Sequence, residues 1–203
     1  MNATYNRYLK GVLRRFAKIG IVIEPSLLVR EALQQATTEI NIDPKYKFCE
    51  LTENDLSGIH KLRPSMSLER YRGFLRSGIL CFGLKDGGHL AAKMWIDLKK
   101  INAVTYSRPL SDQEAYLFDA FSDEACRGQN LAPYLRLQCY AEAQVRGHSE
   151  IYSITDFTNT PARKFKAKLG ASNEALIIYW KLFGFASHTW IAWHYTGPGM
   201  QDN

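Results

Sequence analysis

The chain is short of cysteine and has no long apolar run, and each shortage narrows what it can be. Cys49, Cys81, Cys126 and Cys139 are the only four in 203 residues, and no two form a C-x-x-C pair. A disulfide framework therefore has no support. His60, His89, His148, His188 and His194 are scattered without ligand spacing, so no metal is expected. No apolar stretch reaches membrane-spanning length and no signal-peptide pattern is present, which makes a reducing cytoplasm the expected setting. No block of like charge reads as a disordered tail, and no internal repeat is found. What is present, 46% hydrophobic and 23% charged residues, suffices for one full core, so one domain with extensions is expected. The formal charge of +6 suits nucleic acid, an anionic membrane surface or a polyanionic cofactor, and net charge alone does not choose.

The N-terminal spacing predicts a helix over residues 4–19, with Tyr5, Tyr8, Leu9, Val12, Leu13, Phe16 and Ile19 on one face. Arg7, Lys10, Arg14, Arg15 and Lys18 stand on the other face, with no acid among them. Such a helix packs on the domain body, makes a subunit contact, or attaches peripherally to an anionic membrane, and all three readings stay open. Gly20 fits the helix end, Ile21–Ile23 is a short apolar run, and Pro25-Ser26 is expected to start a second helix through about Gln35. A polar linker follows over 37–44. Residues 1–43 are thus expected as an N-terminal helical extension and 44–203 as the main domain.

In the main domain the pattern predicts a strand from Tyr46, a helix from Asn54 to about Leu62, and a second helix capped by Ser67 and ending near Leu75. A hairpin follows, with strands Ile79–Leu84 and Leu90–Leu98 joined at Asp86-Gly87-Gly88. A strand at Ala115–Phe121 feeds a helix at Leu131–Arg146 through Arg127-Gly128-Gln129-Asn130. Such a junction aims unpartnered backbone N–H groups and a helix dipole at one spot, which suits a phosphate. Then come a strand at Glu150–Asp156, a basic helix at Thr160–Lys168 closed by Gly170, and strands at Ala175–Leu182 and Thr189–Tyr195.

This order, with two local motifs, resembles the GNAT superfamily of acyl-CoA-dependent N-acyltransferases over roughly Lys45 to Tyr195. The family's Q/R-x-x-G-x-G/A signature is met at Arg127 and Ala132 and broken at Asn130, where glycine is usual. Asparagine is the residue that most readily takes glycine's left-handed backbone, so the turn can survive the change. The stretch Asn159 to Ala171 resembles the family's N-x-x-A-x-x-F-Y-x-x-x-G-F segment at Asn159, Ala162, Phe165 and Gly170. It departs from it at Lys166, where tyrosine is frequent, and at Ala171.

The resemblance implies an α+β fold: a central, mostly antiparallel sheet, splayed between its fourth and fifth strands and flanked by helices. It implies acetyl-CoA as co-substrate and no metal. The amides of Arg127, Gly128, Gln129, Asn130, Leu131 and Ala132 would take the pyrophosphate, Phe121 and Ser122 the pantetheine arm and the oxyanion, and Asn159, Phe165 and Lys166 would complete the cofactor-binding set. A carboxylate removes the amine's proton, for which Glu114 and Asp119 are the candidates. Lys166, Tyr134, Tyr140 or water would return a proton to the thiolate. Arg63, Arg70, Tyr71, Arg72, Trp95, Tyr179 and Trp180 are candidates for lining the acceptor site. The expected function is transfer of acetyl to the primary amine of a small molecule. The alternatives are a longer acyl group delivered by acyl-CoA or an acyl carrier protein, and a non-catalytic CoA-binding module. No nucleic-acid partner is expected, and a homodimer is compatible with the β-rich C-terminal edge.

Overall fold

The computed structural model describes residues 3–32 and 40–195, the side chains of residues 3–6 excepted. Helix α1 (Ala3–Lys18) ends where Gly20, at φ +84°, lets its N–H reach the carbonyl of Ala17. Strand β1 (Ile21–Glu31) follows, then β2 (Tyr46–Glu50). A 3-10 turn, Glu53–Asp55, opens on a capping box between Thr52 and Asp55 and runs into α2 (Leu56–Leu62). Ser67 accepts from the N–H of Arg70 at the start of α3 (Leu68–Arg76). Strands β3 (Leu80–Asp86) and β4 (His89–Asp97) form the expected hairpin about Gly87-Gly88. Two short strands, β5 (Lys100–Asn102) and β6 (Ser107–Pro109), pair as a small sheet that the sequence pattern does not announce. Then come β7 (Glu114–Ser122), a 3-10 turn at Glu124–Cys126, α4 (Leu131–Val145), β8 (Glu150–Asp156), α5 (Thr160–Lys168), β9 (Ser172–Leu182) and β10 (Ala186–His194). The architecture is mixed α+β, with a large, mostly antiparallel sheet flanked by helices.

One expected element is corrected. Where the second helix is expected from Pro25, the chain is strand through Glu31, paired antiparallel with β9 from Ile21 opposite Leu182 to Arg30 opposite Ser172, and residues 33–35 lie outside the described residues. The contiguous run Leu27-Leu28-Val29 is buried, and an apolar run of that length is compatible with helix or buried strand until a partner decides. The partner here is β9, which overrides the helix-start signal of Pro25-Ser26. Of the expected linker, residues 37–39 lie outside the described residues and 40–43 are irregular.

The chain divides into two compact units. One comprises Met1–Gln35, Ile101–Pro109 and Tyr152–Asn203; the other comprises Ala36–Lys100 and Leu110–Ile151. In the first, the strand order is β10-β9-β1-β8, with α1 against β1. In the second it is β7-β4-β3-β2. One face of that half-sheet, with Cys81 and Trp95, packs on Leu56, Ile59 and Leu62 of α2 and Tyr71 of α3. Helix α4 lies on the other face, its ridge Leu131, Leu135, Cys139 and Ala143 buried and Arg146 stacked over the Phe82 ring at 5.5 Å. The strands of this unit are thereby fixed from both sides, and so is the turn that leaves β7.

Candidate functional site

The turn between β7 and α4 is built so that its backbone amides stay open. Gly128 has φ +82° and Asn130 has φ 58°, ψ 18°, both in the left-handed region. Asn130 is the N-cap residue of α4, yet its side chain makes no capping bond, so the residue is there for its backbone. Among the described residues, the N–H groups of Gly128, Gln129, Asn130, Leu131 and Ala132 donate to no protein acceptor. Pro133 carries no N–H, and the first intrahelical bond is Tyr134 N–H to Asn130 O, 3.1 Å. The loop is pinned at both ends. Tyr46 Oη donates to Gln129 Oε1 at 2.7 Å, while Asp123 receives the N–H of Ala125 at 2.9 Å and pairs with His89 Nε2 at 3.0 Å. Such open amides at a helix N-terminus, on an exposed loop, form a preorganised anion cradle.

Upstream, β7 carries a bulge. Lys93 of β4 stands opposite Phe121 and Trp95 opposite Phe118, so three steps of β7 span two of β4. Asp119, with φ +50°, sits at the extra residue. Its carboxylate pairs with Lys93 Nζ and with Arg63 Nη1, and Lys93 also donates to the Asp119 carbonyl at 3.2 Å. Lys93 is 0% exposed and lies over the rings of Tyr71 and Trp95 at 5.2 and 5.9 Å. Burial pulls its pKa down to about 7, Cys81 opposes the shift and Arg63 adds to it. Arg63 also covers the Phe121 ring at 5.9 Å. A carboxylate shared by two cations is a weak base, so this geometry fits Asp119 as the anchor of the bulge better than as a proton acceptor.

Glu114 is at the other end of β7, where Oε2 accepts the N–H of Ser111 at 2.9 Å. Seven residues separate it from Phe121, about 23 Å of strand, so the structure brings Asp119, but not Glu114, together with Phe121 and Ser122. Tyr71 and Trp95, candidates for the acceptor lining, are fully buried and stacked at 5.8 Å as part of the core, whereas Arg63 keeps partial exposure. Arg70 lies over Phe74, and Arg72 pairs with Glu53 at 3.7 Å.

Asn159, Phe165 and Lys166 belong to the other unit, on α5. Asn159 Oδ1 accepts the N–H of Ala162 at 3.2 Å and so caps the helix. Phe165 is half-buried. Lys166 departs from the expected role. Its ammonium is only 7% exposed and turns inward to Ser153 Oγ at 2.5 Å, to Thr155 Oγ1 and to Glu31 at 3.7 Å, while Ser153 Oγ also bonds Glu31. Lys166 thus ties α5 to β8 and β1. Lys166→Met is expected to lower the melting temperature by several degrees, about 2–4 °C per kcal/mol for a chain of this size, with CoA affinity unchanged in a titration. A large loss of affinity at preserved melting temperature would return Lys166 to the cofactor set.

Lys93 is the residue the sequence reading passes over, although a lysine inside the apolar run LAAKMWI is as anomalous as Asp119 inside its own strand. The same signal in the facing strand was available. Glu31 was hidden by the helix expectation.

Solved structures share this fold. A protein of the GNAT family from Novosphingobium aromaticivorans superposes with a TM-score of 0.56 at 20% identity, over 78% of this chain and 65% of that one. A GNAT-family acetyltransferase from Colwellia psychrerythraea gives 0.60 at 17% identity, over 82% and 59%. The ribosomal-protein-S18-alanine N-acetyltransferase of Escherichia coli gives 0.54 at 21% identity, over 65% and 80%. The chain therefore has the GNAT acetyltransferase fold. It spans less than two thirds of the Novosphingobium and Colwellia chains. No family model and no curated protein matches the sequence.

Proposed function

We propose that the protein transfers an acyl group from acetyl-CoA to the primary amine of a small molecule. The observation that carries the reading is the open cradle at Gly128–Ala132, with Gly128 and Asn130 left-handed and none of the five amides donating to an acceptor among the described residues. The residues fit a diphosphate: the amide N–H groups donate to its oxygens, the dipole of α4 favours its charge, and exposed Arg127, paired with Glu124 at 2.8 Å, can swing to it. A bound acyl-CoA supplies the acyl group already activated as a thioester. The chain supplies position. The bulge held by Lys93 and Asp119 fixes the strand that carries Phe121 and Ser122 next to the cradle, where backbone amides of β7 can face the thioester carbonyl. A covalent acyl-cysteine route through Cys81, Cys139 or Cys49 is not favoured, because burial pushes the thiols of Cys81 and Cys139 well above their usual range, and Cys49 in the same direction.

The test is a screen of amino acids, amino sugars and polyamines with acetyl-CoA, reading out free thiol. Amine-dependent thiol release supports the proposal. Tight CoA binding with no release for any amine or longer acyl-CoA would instead make the chain a binding module.

A further inference from the structure

Ten large hydrophobic side chains are exposed among the described residues, and eight of them fall on two segments of one unit, α1 and the β9–β10 hairpin. On α1 these are Tyr8, 73% exposed, with Phe16 and Ile19. Together with half-buried Val12 they recur at helical spacing as one stripe. The side of α1 that bears Leu13 and Ala17 looks instead toward Val22–Pro25 of β1, across a cleft of about 340 Å³. The stripe is therefore not the face that packs on the sheet. In the hairpin turn, Phe183 and Phe185 are 63% and 95% exposed, and Trp190 and Trp193 continue along the edge strand β10.

These segments adjoin. The N–H of Phe183 bonds the carbonyl of Gly20 at 2.6 Å, and a Cβ placed on Gly20 would come within 2.6 Å of the Phe183 ring. The end of α1 and the hairpin turn thus make a single apolar surface, far more than the scattered exposed hydrophobics of an ordinary face. Arg15 lies beside Val12, Phe16 and Ile19 in a hollow of the stripe and Lys18 is exposed near its end, whereas Lys10 and Arg14 line the cleft that faces β1; α1 contains no acid.

From this surface we infer that the unit docks on an anionic lipid bilayer. Phe183, Phe185, Phe16 and Ile19 enter the acyl boundary, Tyr8 and the two tryptophans sit at headgroup level, and Arg15 and Lys18, beside the stripe, meet the lipid phosphates. A second copy of the chain is the poorer occupant, because a two-fold interface on this surface would set Arg15 and Lys18 of one copy near those of the other, with no acid on α1 to pair them. Nucleic acid is poorer too, since it would use the cations and leave the exposed aliphatic and aromatic stripe unexplained. The inference does not depend on the acyl-transfer reading.

The experiment is co-sedimentation of the full chain with vesicles of phosphatidylcholine alone and of phosphatidylcholine with phosphatidylglycerol, with tryptophan emission recorded in parallel. Binding to the phosphatidylglycerol vesicles with a blue shift is expected. The exposed double variant Phe183→Ser, Phe185→Ser should weaken it by at least about tenfold, and Arg15→Glu, Lys18→Glu should weaken it while added salt does so for the wild type. No binding to the anionic vesicles overturns the inference. So does binding that the Phe183/Phe185 variant leaves unchanged, which would be adsorption of cations alone. A dimer in solution that the same variant dissociates, or displacement of the vesicles by duplex DNA at equal charge, would assign the surface to those partners instead.

Discussion

Replacing Asp119 with asparagine is expected to lower the melting temperature by about 10 °C. Breaking a buried ion pair from one side costs about 3–5 kcal/mol, and each kcal/mol moves the midpoint of a chain this long by about 2–4 °C. Lys93, with 0% of its surface exposed, would be left among Tyr71, Trp95 and Arg63 without the carboxylate that faces it. The loss has a pH signature. Burial sets the folded pKa of Lys93 at about 7, with Cys81 raising and Arg63 lowering it, against an ordinary value of 10.5, and the variant keeps that burial. The unfolded state then binds more protons between those two values, and the variant's stability rises with pH across that window. A thermal melt series from pH 7 to pH 10 checks this. The double variant Lys93→Met, Asp119→Asn should recover part of the loss, because the two side chains are one unit. Additive losses would mean that the pair does not hold the bulge.

The second large effect is on ligand binding. Asn130→Val should weaken CoA by about tenfold, because a β-branched residue resists φ 58°, ψ 18° and a left-handed L-residue costs about 1–2 kcal/mol even without branching. Asn130→Gly should bind at least as well as the wild type, since glycine takes the same angles without strain. Gly128→Ala isolates the backbone cost further: an added Cβ meets nothing within 4 Å, so any loss comes from φ +82° alone. Calorimetric titration of CoA into the four proteins gives the comparison. Equal affinities for the valine and glycine variants would remove the turn from the binding site.

Much of this was legible in the sequence where local chemistry decides. Asn130 in the place of a glycine announced a left-handed residue, and the turn carries one there. Ser67, Gly20 and the Gly87-Gly88 turn marked their boundaries because caps and tight turns depend on a few neighbouring residues. Residues 25–31 failed for the opposite reason. Leu27-Leu28-Val29 fits a helix or a buried strand, and only β9, some 150 positions along the chain, selects the strand. Pairing partners were likewise out of reach for the charged groups. Asp119 was conspicuous as an acid in an apolar strand, but that Lys93 and Arg63 hold it depends on the β4–β7 register and on α2 reaching over the sheet. Lys166 stood at a frequent tyrosine position as a candidate for the cofactor set and for returning a proton to the thiolate, and Glu31, Ser153 and Thr155 turn it inward.

The central claim is that the open amides between β7 and α4 receive the diphosphate of a CoA-type donor. Amide nitrogen–proton correlation spectra of the full chain, recorded while CoA is added, test it at the atoms concerned. The account predicts that the amides of Gly128, Gln129, Asn130, Leu131 and Ala132 show the largest shift changes, saturating together. CoA binding that leaves these five signals in place, or no binding at all, would contradict it.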